Sequence, residues 1–295
     1  MMLTQPHILF LGPPKSGSSW MWEYFRSSPE VAAIASKETF FFSGTKSFNR
    51  GADWYDGFFP SGDLRYDGCH EYLHSVEAPA RIASVLADPN FLVMLRDPAR
   101  RALSALKYMK FQGRVKPDVG IQQGLEEIPE LTSHGDYENS LTRYLEVFDE
   151  GRFTITFFEE FFGPGDVLAD TMQCLGVTVD PTLTVKDRVR PAKASRFPRA
   201  VNAGRTVLSQ MRNRGLVRSA ETVKNAKFVN RLLEKAAGPE PTSIEDLDIA
   251  YQLLDDQISR TRSLLESVSQ TSIVGPLPTW LRSSQRTVPA INGGK

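Results

Sequence analysis

The feature that most constrains how this chain can fold is a short loop, GPPKSGSSW at residues 12–20. The residues before it, 7–12, read HILFLG, a continuous apolar run too short for a helix, so they predict a buried strand. From Ser18 to Pro29 the apolar residues recur at helical spacing, which predicts a helix. The loop therefore joins a strand to the start of a helix.

This loop has the composition of an anion-binding turn. A helix start presents unpaired amides and the positive end of the helix dipole, so Gly17, Ser18 and Ser19 can wrap an oxyanion. Lys15 adds a full positive charge. In the phosphate loop of kinases and nucleotide hydrolases the lysine directly follows the last glycine, whereas here it precedes Gly17, which disfavours that class. A simpler alternative is a serine-capped helix after a proline turn, with an incidental lysine.

Strands and helices alternate further along the chain. Strands are predicted at residues 91–96 and 153–158, which are rich in apolar, β-branched and aromatic residues. An Asp-Pro pair at 97–98 opens a helix that runs to about Phe111, and residues 166–175 form another. This order implies the α/β class: a P-loop-like, three-layer fold with a central parallel sheet flanked by helices and a helical C-terminal segment.

The 295 residues are expected to form one catalytic domain over residues 1–283, followed by a disordered tail at 284–295. Residues 244–268 predict a closing amphipathic helix. The formal net charge is zero, yet residues 186–235 hold fourteen Lys or Arg against three acidic residues. The basic, helical segment at 186–241 either binds an anionic ligand or forms a solvated helical face.

The sequence shows no pattern typical of a secreted, membrane-spanning or disulfide-rich protein. Cys69 and Cys174 are too few for a disulfide framework and have no partners in a metal-ligand pattern. No basic and apolar leader is present, and no run of roughly 18 uncharged apolar residues occurs. We expect a cytoplasmic protein without a transmembrane segment or a metal. Nothing in the sequence indicates an oligomeric state.

The segment PKSGSSW resembles the 5′-phosphosulfate loop of sulfotransferases that use 3′-phosphoadenosine 5′-phosphosulfate (PAPS). A second pattern of that family, RDPxxRxxS, holds the 3′-phosphate and is matched by Arg96, Asp97, Pro98, Arg101 and Ser104. Arg96 stands at the carboxyl end of a predicted strand, the edge at which α/β sheets bind ligands. The resemblance implies a sulfotransferase that moves the sulfuryl group of PAPS to an acceptor hydroxyl or amine.

The resemblance also implies a role for each matched residue. Lys15 is expected at the bridging oxygen, and Arg96 and Ser104 at the 3′-phosphate. The 5′-phosphate is expected to lie against Ser16, Gly17, Ser18, Ser19 and Trp20. Residues 193–199, KASRFPR, are similar to a segment of bacterial members that closes over the nucleotide, which adds Ser195 and Arg196 to the cofactor-binding residues. Sulfuryl transfer, like phosphoryl transfer, depends mainly on positioning and electrostatic stabilisation, and no metal is required.

Three more segments resemble the heparan-sulfate type of sulfotransferase domain: KETFFF at 37–42, GADWYDGFFP at 51–60 and LPTWL at 277–281. Glu38 matches the general base of this type, whereas His70 falls where the small-molecule cytosolic type carries its catalytic histidine. We favour Glu38 as the base, with His70 as helper or alternative. The non-catalytic alternatives are a carboxylate paired with Lys15 or Lys37, and a loop histidine without chemistry.

The chain departs from the family at positions that bear on the acceptor. Gly68 replaces a lysine in an EKTxxY-like pattern, so one expected phosphosulfate contact is missing; Leu106 replaces a tyrosine, and the cytosolic-type RKGxxGDW segment is absent. The acceptor stays open among small molecules, lipids and carbohydrates. Aromatic residues at 40–42 and 54–59 can line an apolar acceptor pocket, although such clusters are more often core.

Two other functions are kept as alternatives. A P-loop kinase or nucleotide hydrolase has the same order of strand, anion-binding loop and helix, and would prefer ATP with magnesium. A non-catalytic polyanion-binding protein would use the basic residues 186–235. Aromatic residues there are sparse, essentially Phe197 and Phe228, so no nucleic-acid partner is expected.

Overall fold

A computed structural model of the protein describes residues 2–179, 243–269 and 272–282, with short pieces at 193–195, 207, 211 and 234–236. Apart from these pieces, the basic segment at 186–241 lies outside the described residues. The predicted tail at 284–295 lies wholly outside them.

The centre of the fold is a parallel sheet of five strands in the order β2-β3-β1-β4-β5. The strands are β1 (His7–Leu11), β2 (Val31–Ala33), β3 (Leu64–Gly68), β4 (Pro89–Leu95) and β5 (Phe153–Phe157). In the register of the sheet, Leu9 lies opposite Asp67 on β3 and Phe91 on β4. The strands predicted at 7–12, 91–96 and 153–158 are confirmed to within two residues, whereas no prediction covered β2 or β3.

Helices connect the strands and cover both faces of the sheet. Those before β5 are α1 (Ser18–Ser27), α2 (Thr45–Phe48), α3 (Ala52–Asp56), α4 (Ala78–Val85), α5 (Pro98–Phe111), α6 (Ile121–Glu127), α7 (Pro129–Ser133) and α8 (Tyr137–Leu145). Those after it are α9 (Phe158–Phe161), α10 (Val167–Cys174), α11 (Ile244–Leu253) and α12 (Asp255–Ser267), followed by a 3-10 turn at Thr279–Leu281. Within the described ranges, no helix is long and apolar enough to cross a membrane.

Alternate residues of the central strands enter two separate cores, as the two-residue period of a strand requires. In β1, Ile8 and Phe10 pack on the side of α1 and α10, whereas Leu9 and Leu11 pack on the side of α4 and α5. All four side chains are buried. Each such burial stabilises the fold by about 1.5–3 kcal/mol. Burial on both faces explains the continuous apolar run of the sequence and confirms the three-layer α/β prediction.

The C-terminal helix predicted at 244–268 is two helices. Helix α11 ends at Leu253 and α12 begins at Asp255, with Leu254 between them at φ −106° and ψ 8°. Leu254 is buried, so the apolar face continues across the break. The Tyr251 hydroxyl donates to the Asp97 carboxylate, which ties α11 to the start of α5.

The segment predicted to be basic and helical also contains strand. Strand β6 (Lys193–Ser195) pairs antiparallel with β7 (Glu234–Ala236), separately from the main sheet. The helical prediction is wrong for these six residues, because their backbones form a two-stranded ladder.

Candidate active site

Two predicted anion-binding elements meet at the crevice between β1 and β4. The connection after β1 runs to β2 at one edge of the sheet, and the connection after β4 runs to β5 at the other edge. Adjacent strands whose connections diverge form the crevice at which open α/β sheets bind ligands. Arg96 directly follows β4 and donates from Nη1 to the carbonyl of Lys15 at 2.5 Å. The loop after β1 and the arginine after β4 are therefore in direct contact.

The loop after β1 leads tightly into α1. Gly17 precedes the helix with a φ of 89°, a left-handed conformation that glycine adopts without a steric penalty. A Cβ at this position would lie 2.9 Å from the ring of Phe162. The buried Ser16 hydroxyl donates to the Pro13 carbonyl at 2.7 Å, so this side chain closes the turn. Trp20, in the first turn of α1, packs edge-on against Phe162 with the ring centres 5.3 Å apart.

Lys15 reaches across the crevice to α5. Its Nζ lies 4.6 Å from the centre of the Tyr108 ring, a cation–π distance. Ser104 lies one helical turn before Tyr108 on the same face of α5 and is half-buried. Lys15 therefore contacts the helix that carries Ser104, the predicted ligand of the opposite end of the nucleotide.

Arg96 is held by groups from α8 and from the start of α9. Its guanidinium lies 4.4 Å from the centre of the Phe158 ring, and its Nε lies 4.0 Å from the Glu159 carboxylate. The Tyr137 hydroxyl donates to the Arg96 carbonyl at 2.7 Å. Burial, together with the charge of Asp97, raises the pKa of Glu159 to about 7. The orientation of Arg96 is thus set by its surroundings before any ligand binds.

The start of α5 is capped as the sequence predicts. The Asp97 carboxylate accepts hydrogen bonds from the backbone N–H groups of Ala99 and Arg100 at 2.9 and 3.1 Å. Arg101 is fully buried and donates to the Leu131 carbonyl. Within the RDPxxRxxS pattern, Arg101 therefore supports the packing of α5 on α7 and does not line the crevice.

A buried lysine joins the start of α1 to the predicted base. Lys37 Nζ donates to the Glu38 carboxylate at 2.7 Å. The same nitrogen lies 3.3 Å from the Ser18 hydroxyl and 3.2 Å from the Ser19 hydroxyl. The pairing of Glu38 with Lys37, one of the two alternatives considered from the sequence, therefore occurs, and it lies beside the anion loop.

His70 lies between two carboxylates. Its Nδ1 is 3.2 Å from Glu38 and its Nε2 is 3.0 Å from Glu71. Burial alone lowers the pKa of His70, but the charges and hydrogen bonds of Glu38 and Glu71 outweigh it and raise this pKa to about 9. Donation from both ring nitrogens requires a proton on each, which is the cationic form. At neutral pH, His70 is an imidazolium and has no lone pair with which to accept a proton.

Backbone strain is concentrated in this site. Three non-glycine residues of the described chain have a positive φ: Lys15 at 79°, Glu38 at 65° and Phe40 at 55°. The left-handed conformation costs an L-residue about 1–2 kcal/mol and persists only where the surroundings impose it. The strained positions include both Lys15 and the candidate base Glu38.

The remaining predicted residues are Ser195, Arg196 and the aromatic residues considered as an acceptor lining. Arg196 lies outside the described residues, and Ser195 ends β6, whose backbone lies beside α5. The aromatic residues considered as an acceptor lining belong mainly to the core, since Phe41, Phe42 and Tyr55 are fully buried. Phe41 and Tyr55 stack with their ring centres 4.5 Å apart.

Three groups that shape the site were not predicted as site residues: Lys37, Glu71 and Glu159. Glu159 comes just after β5, and the carboxyl ends of parallel strands share an edge, so its position in the sequence is a usable signal. Lys37 and Glu71 have only a weaker signal, which is that each adjoins a candidate base in sequence. Their contacts depend on how two separate loops meet.

A polar cleft of about 450 Å³ opens beside Glu71, between the loop after β3 and the region of α7 and α8. The rings of His74 and His134 line it and stack with their centres 4.4 Å apart. Burial lowers the pKa of both histidines, that of His134 to about 4, so both are neutral at pH 7. Asn139 and Arg143 complete a wall made largely of hydrogen-bonding groups.

The fold and the site define an α/β protein with a crevice at the carboxyl edge of its parallel sheet, where Lys15 and Arg96 meet, and a carboxylate–imidazolium pair beside the loop after β1. Residues 5–187 match the family model described as the sulfotransferase domain. The chain belongs to the sulfotransferase family. The family predicted from PKSGSSW and RDPxxRxxS is thereby confirmed.

Curated relatives of the chain include heparan sulfate enzymes. Heparan sulfate glucosamine 3-O-sulfotransferase 3B1 of Mus musculus is 31% identical over 102 residues, which cover 34% of this chain and 25% of that protein. Bifunctional heparan sulfate N-deacetylase/N-sulfotransferase 4 of Mus musculus is 30% identical over 115 residues, 36% of this chain and 13% of that protein. The matches therefore span a quarter or less of these relatives.

Solved structures agree on the fold. A sulfotransferase from Alicyclobacillus acidocaldarius aligns with a TM-score of 0.53 and 23% identity, over 73% of this chain and 97% of that one. Mouse sulfotransferase SULT7A1, complexed with PAP, aligns with a TM-score of 0.50 and 16% identity, over 91% of each chain. Together with the family match, this favours a sulfotransferase over a kinase, a nucleotide hydrolase or a non-catalytic polyanion binder.

Proposed function

We propose that the protein transfers the sulfuryl group of PAPS to a hydroxyl or amine of an acceptor molecule. The observation that carries this proposal is the 2.5 Å hydrogen bond from Arg96 to the Lys15 carbonyl. It joins two anion-binding elements at one crevice, as a nucleotide with a phosphate group at each end requires. Family membership and the PAP complex of the mouse relative support the same ligand.

The nucleotide would be held from both ends. Lys15 and the first amides of α1 suit the 5′-phosphosulfate, since both present positive charge to an oxyanion. Arg96 and Ser104 suit the 3′-phosphate. Within the described residues, no group of three or more side chains could hold a metal ion, and a metal-free reaction stays a prediction. The cytoplasmic location also stays a prediction.

We assign the general base to Glu38. As the acceptor oxygen attacks sulfur, its proton passes to the Glu38 carboxylate and the bond from sulfur to the 5′-phosphate oxygen breaks. The leaving group, adenosine 3′,5′-bisphosphate (PAP), gains negative charge that Lys15 and the start of α1 stabilise. Cationic His70 cannot accept the proton, but its hydrogen bond holds Glu38 in place. The Lys37 ammonium contacts the same carboxylate.

The acceptor, on this proposal, is a polar small molecule or carbohydrate that enters through the cleft beside Glu71. Neutral imidazoles, an amide, hydroxyl groups, three carboxylates and the Arg143 guanidinium line this cleft, and its apolar side chain is the exposed Val76. Such a wall can hydrogen-bond a hydroxylated acceptor, whereas a lipid would leave the polar groups unpaired. The buried position of Phe41, Phe42 and Tyr55 supports the same choice.

The test is sulfuryl transfer from sulfur-labelled PAPS to a panel of hydroxylated, amine and lipid acceptors. We expect Lys15→Ala and Glu38→Gln each to lower the rate on the order of a hundredfold, because each removes a group that acts in the transition state. An exposed-lysine variant, Lys46→Ala, serves as the control. Full activity in Lys15→Ala, with unchanged affinity for PAP, would contradict the assignment of the loop. Transfer to lipid acceptors alone would contradict the assignment of the cleft.

A further inference from the structure

Lys37 is a buried, charged side chain with three polar partners. Its side chain is 5% exposed, although lysine is almost never buried unless it is paired. The charge is compensated by the Glu38 carboxylate at 2.7 Å and by two serine hydroxyls. These partners belong to the start of α1 and to the candidate base, so the contacts of Lys37 join two parts of the site.

The hydrogen bonds of Lys37 determine which role the Ser18 and Ser19 hydroxyls have, donor or acceptor. A lysine ammonium has three N–H donors and no acceptor, so Ser18 and Ser19 must each accept a hydrogen bond from Lys37. Each hydroxyl then keeps its own proton to donate elsewhere. Both serines stand at the start of α1, where the backbone N–H groups and the helix dipole already favour an anion.

We propose that Lys37 is a positioning residue for sulfuryl transfer, which makes the Ser18 and Ser19 hydroxyls donors toward the 5′-phosphosulfate and holds the Glu38 carboxylate beside the reacting sulfur. A single cation thereby links the nucleotide-binding turn to the base. This inference rests on the proposed function, and it adds a residue that acts through three others.

The surroundings of Gly68 explain why the lysine of the family's EKTxxY-like pattern is missing at that position. A Cβ on Gly68 would lie 2.6 Å from the Tyr66 hydroxyl and 3.1 Å from the nearest carbon of its ring. Tyr66 is fully buried and stacks on Phe25 with ring centres 4.1 Å apart, so it cannot move aside cheaply. Gly68 is therefore closed to a side chain, so a lysine cannot stand there. Lys37, in the loop after β2, supplies an ammonium that contacts both the start of α1 and Glu38, beside the cationic His70.

The experiment compares Lys37→Met, which removes the charge at similar volume, with Lys37→Arg, which keeps the charge, and with the exposed control Lys46→Met. We expect Lys37→Met to weaken PAP binding about tenfold and to lower kcat about a hundredfold. Lys37→Arg should recover part of both losses. Thermal unfolding of each variant establishes that it is folded.

Two readouts separate positioning from general support of the fold. Lys37 and His70 are cations that face Glu38, and Glu71 lies behind His70, so Lys37→Met should move the acidic limb of the kcat/KM profile to higher pH. In a Ser18→Ala/Ser19→Ala background, Lys37→Met should weaken PAP binding by less than it does alone, since residues that act as a unit are not additive.

Additive losses of PAP affinity, or a pH profile identical to that of Lys46→Met, would overturn the role of Lys37 while leaving the sulfotransferase proposal intact. Failure of the wild-type protein to bind PAP and to use PAPS would instead overturn the proposed function itself. Equal rates and affinities in Lys37→Met and Lys46→Met would also exclude Lys37 from the reaction.

Discussion

The charge on His70 predicts a pH-dependent stability that a single substitution should abolish. The change is His70→Gln, which keeps a polar side chain of similar size and removes the titrating group. Because Glu38 and Glu71 outweigh burial, the pKa of His70 rises from 6.5 to about 9 in the folded protein. A raised pKa in the folded state means that the native protein binds the proton more tightly than the unfolded chain does.

The size of the effect follows from these two pKa values. Below pH 6.5 both states carry the proton and the stabilisation is fully present, at about 3 kcal/mol. It falls as the pH rises toward the folded-state pKa of about 9, and about 2 kcal/mol of it is lost between pH 7 and pH 9. Low pKa values keep His74 and His134 neutral in this interval, so they do not contribute.

The assay is urea unfolding of the wild type and of His70→Gln at several pH values from 7 to 9.5. We expect the free energy of unfolding of the wild type to decrease by about 2 kcal/mol more than that of the variant over this interval. His134→Gln is the matched control and should keep the wild-type pH dependence, because His134 is already neutral at pH 7. Parallel curves for the wild type and His70→Gln would refute the ionic arrangement around Glu38.

Three further predictions concern the turn, the nucleotide and the C-terminal helices. Gly17→Ala should lower the free energy of unfolding by about 1–3 kcal/mol in denaturant titration, because it forces alanine to a φ of 89° and its Cβ against Phe162; an unchanged midpoint would contradict this geometry. Arg96→Met should weaken binding of PAP about ten- to a hundredfold in calorimetry, yet leave adenosine 5′-phosphosulfate, which lacks the 3′-phosphate, nearly unaffected. Tyr251→Phe should cost about 1–2 kcal/mol in thermal unfolding, since the hydrogen bond to buried Asp97 is lost, while PAP affinity stays within a few-fold of the wild type.

The parts of the fold that the sequence predicts are those whose signal is local. Strands β1 and β4 are buried on both faces and are mainly apolar in sequence, and β5 is made of β-branched and aromatic residues. Strand β2 has only three residues, and the sequence LRYDG of β3 carries an arginine and an aspartate that interrupt any apolar pattern. Both strands lie on one side of the sheet and are held there by pairing with neighbouring strands. Their own side chains do not predict this pairing.

The site also has parts that a local sequence pattern predicts and parts that depend on contacts between distant segments. The loop at 12–17 and the capped start of α5 are encoded within a few residues of sequence, so their structure follows from glycine, serine, aspartate and proline chemistry. The roles of Lys37 and Glu71 depend on the loops after β2 and β3 lying side by side, a contact between segments about thirty residues apart. The preference for Glu38 over His70 as base rests on the resemblance and stays a prediction. The two carboxylates that make His70 cationic come from two separate loops, so neither segment alone reveals this charge.

The order of charges in the site accounts for how four ionisable groups can lie together in a largely closed space. Lys37, Glu38, His70 and Glu71 alternate in sign along one chain of contacts, with each step between 2.7 and 3.2 Å. Each inner member has an opposite charge on both sides, which offsets the cost of removing it from water. Removing His70 would leave two carboxylates facing each other, and removing Glu38 would leave two cations. The raised pKa of His70 is thus a consequence of this alternating arrangement, in which Glu38 is the carboxylate shared by Lys37 and the imidazole.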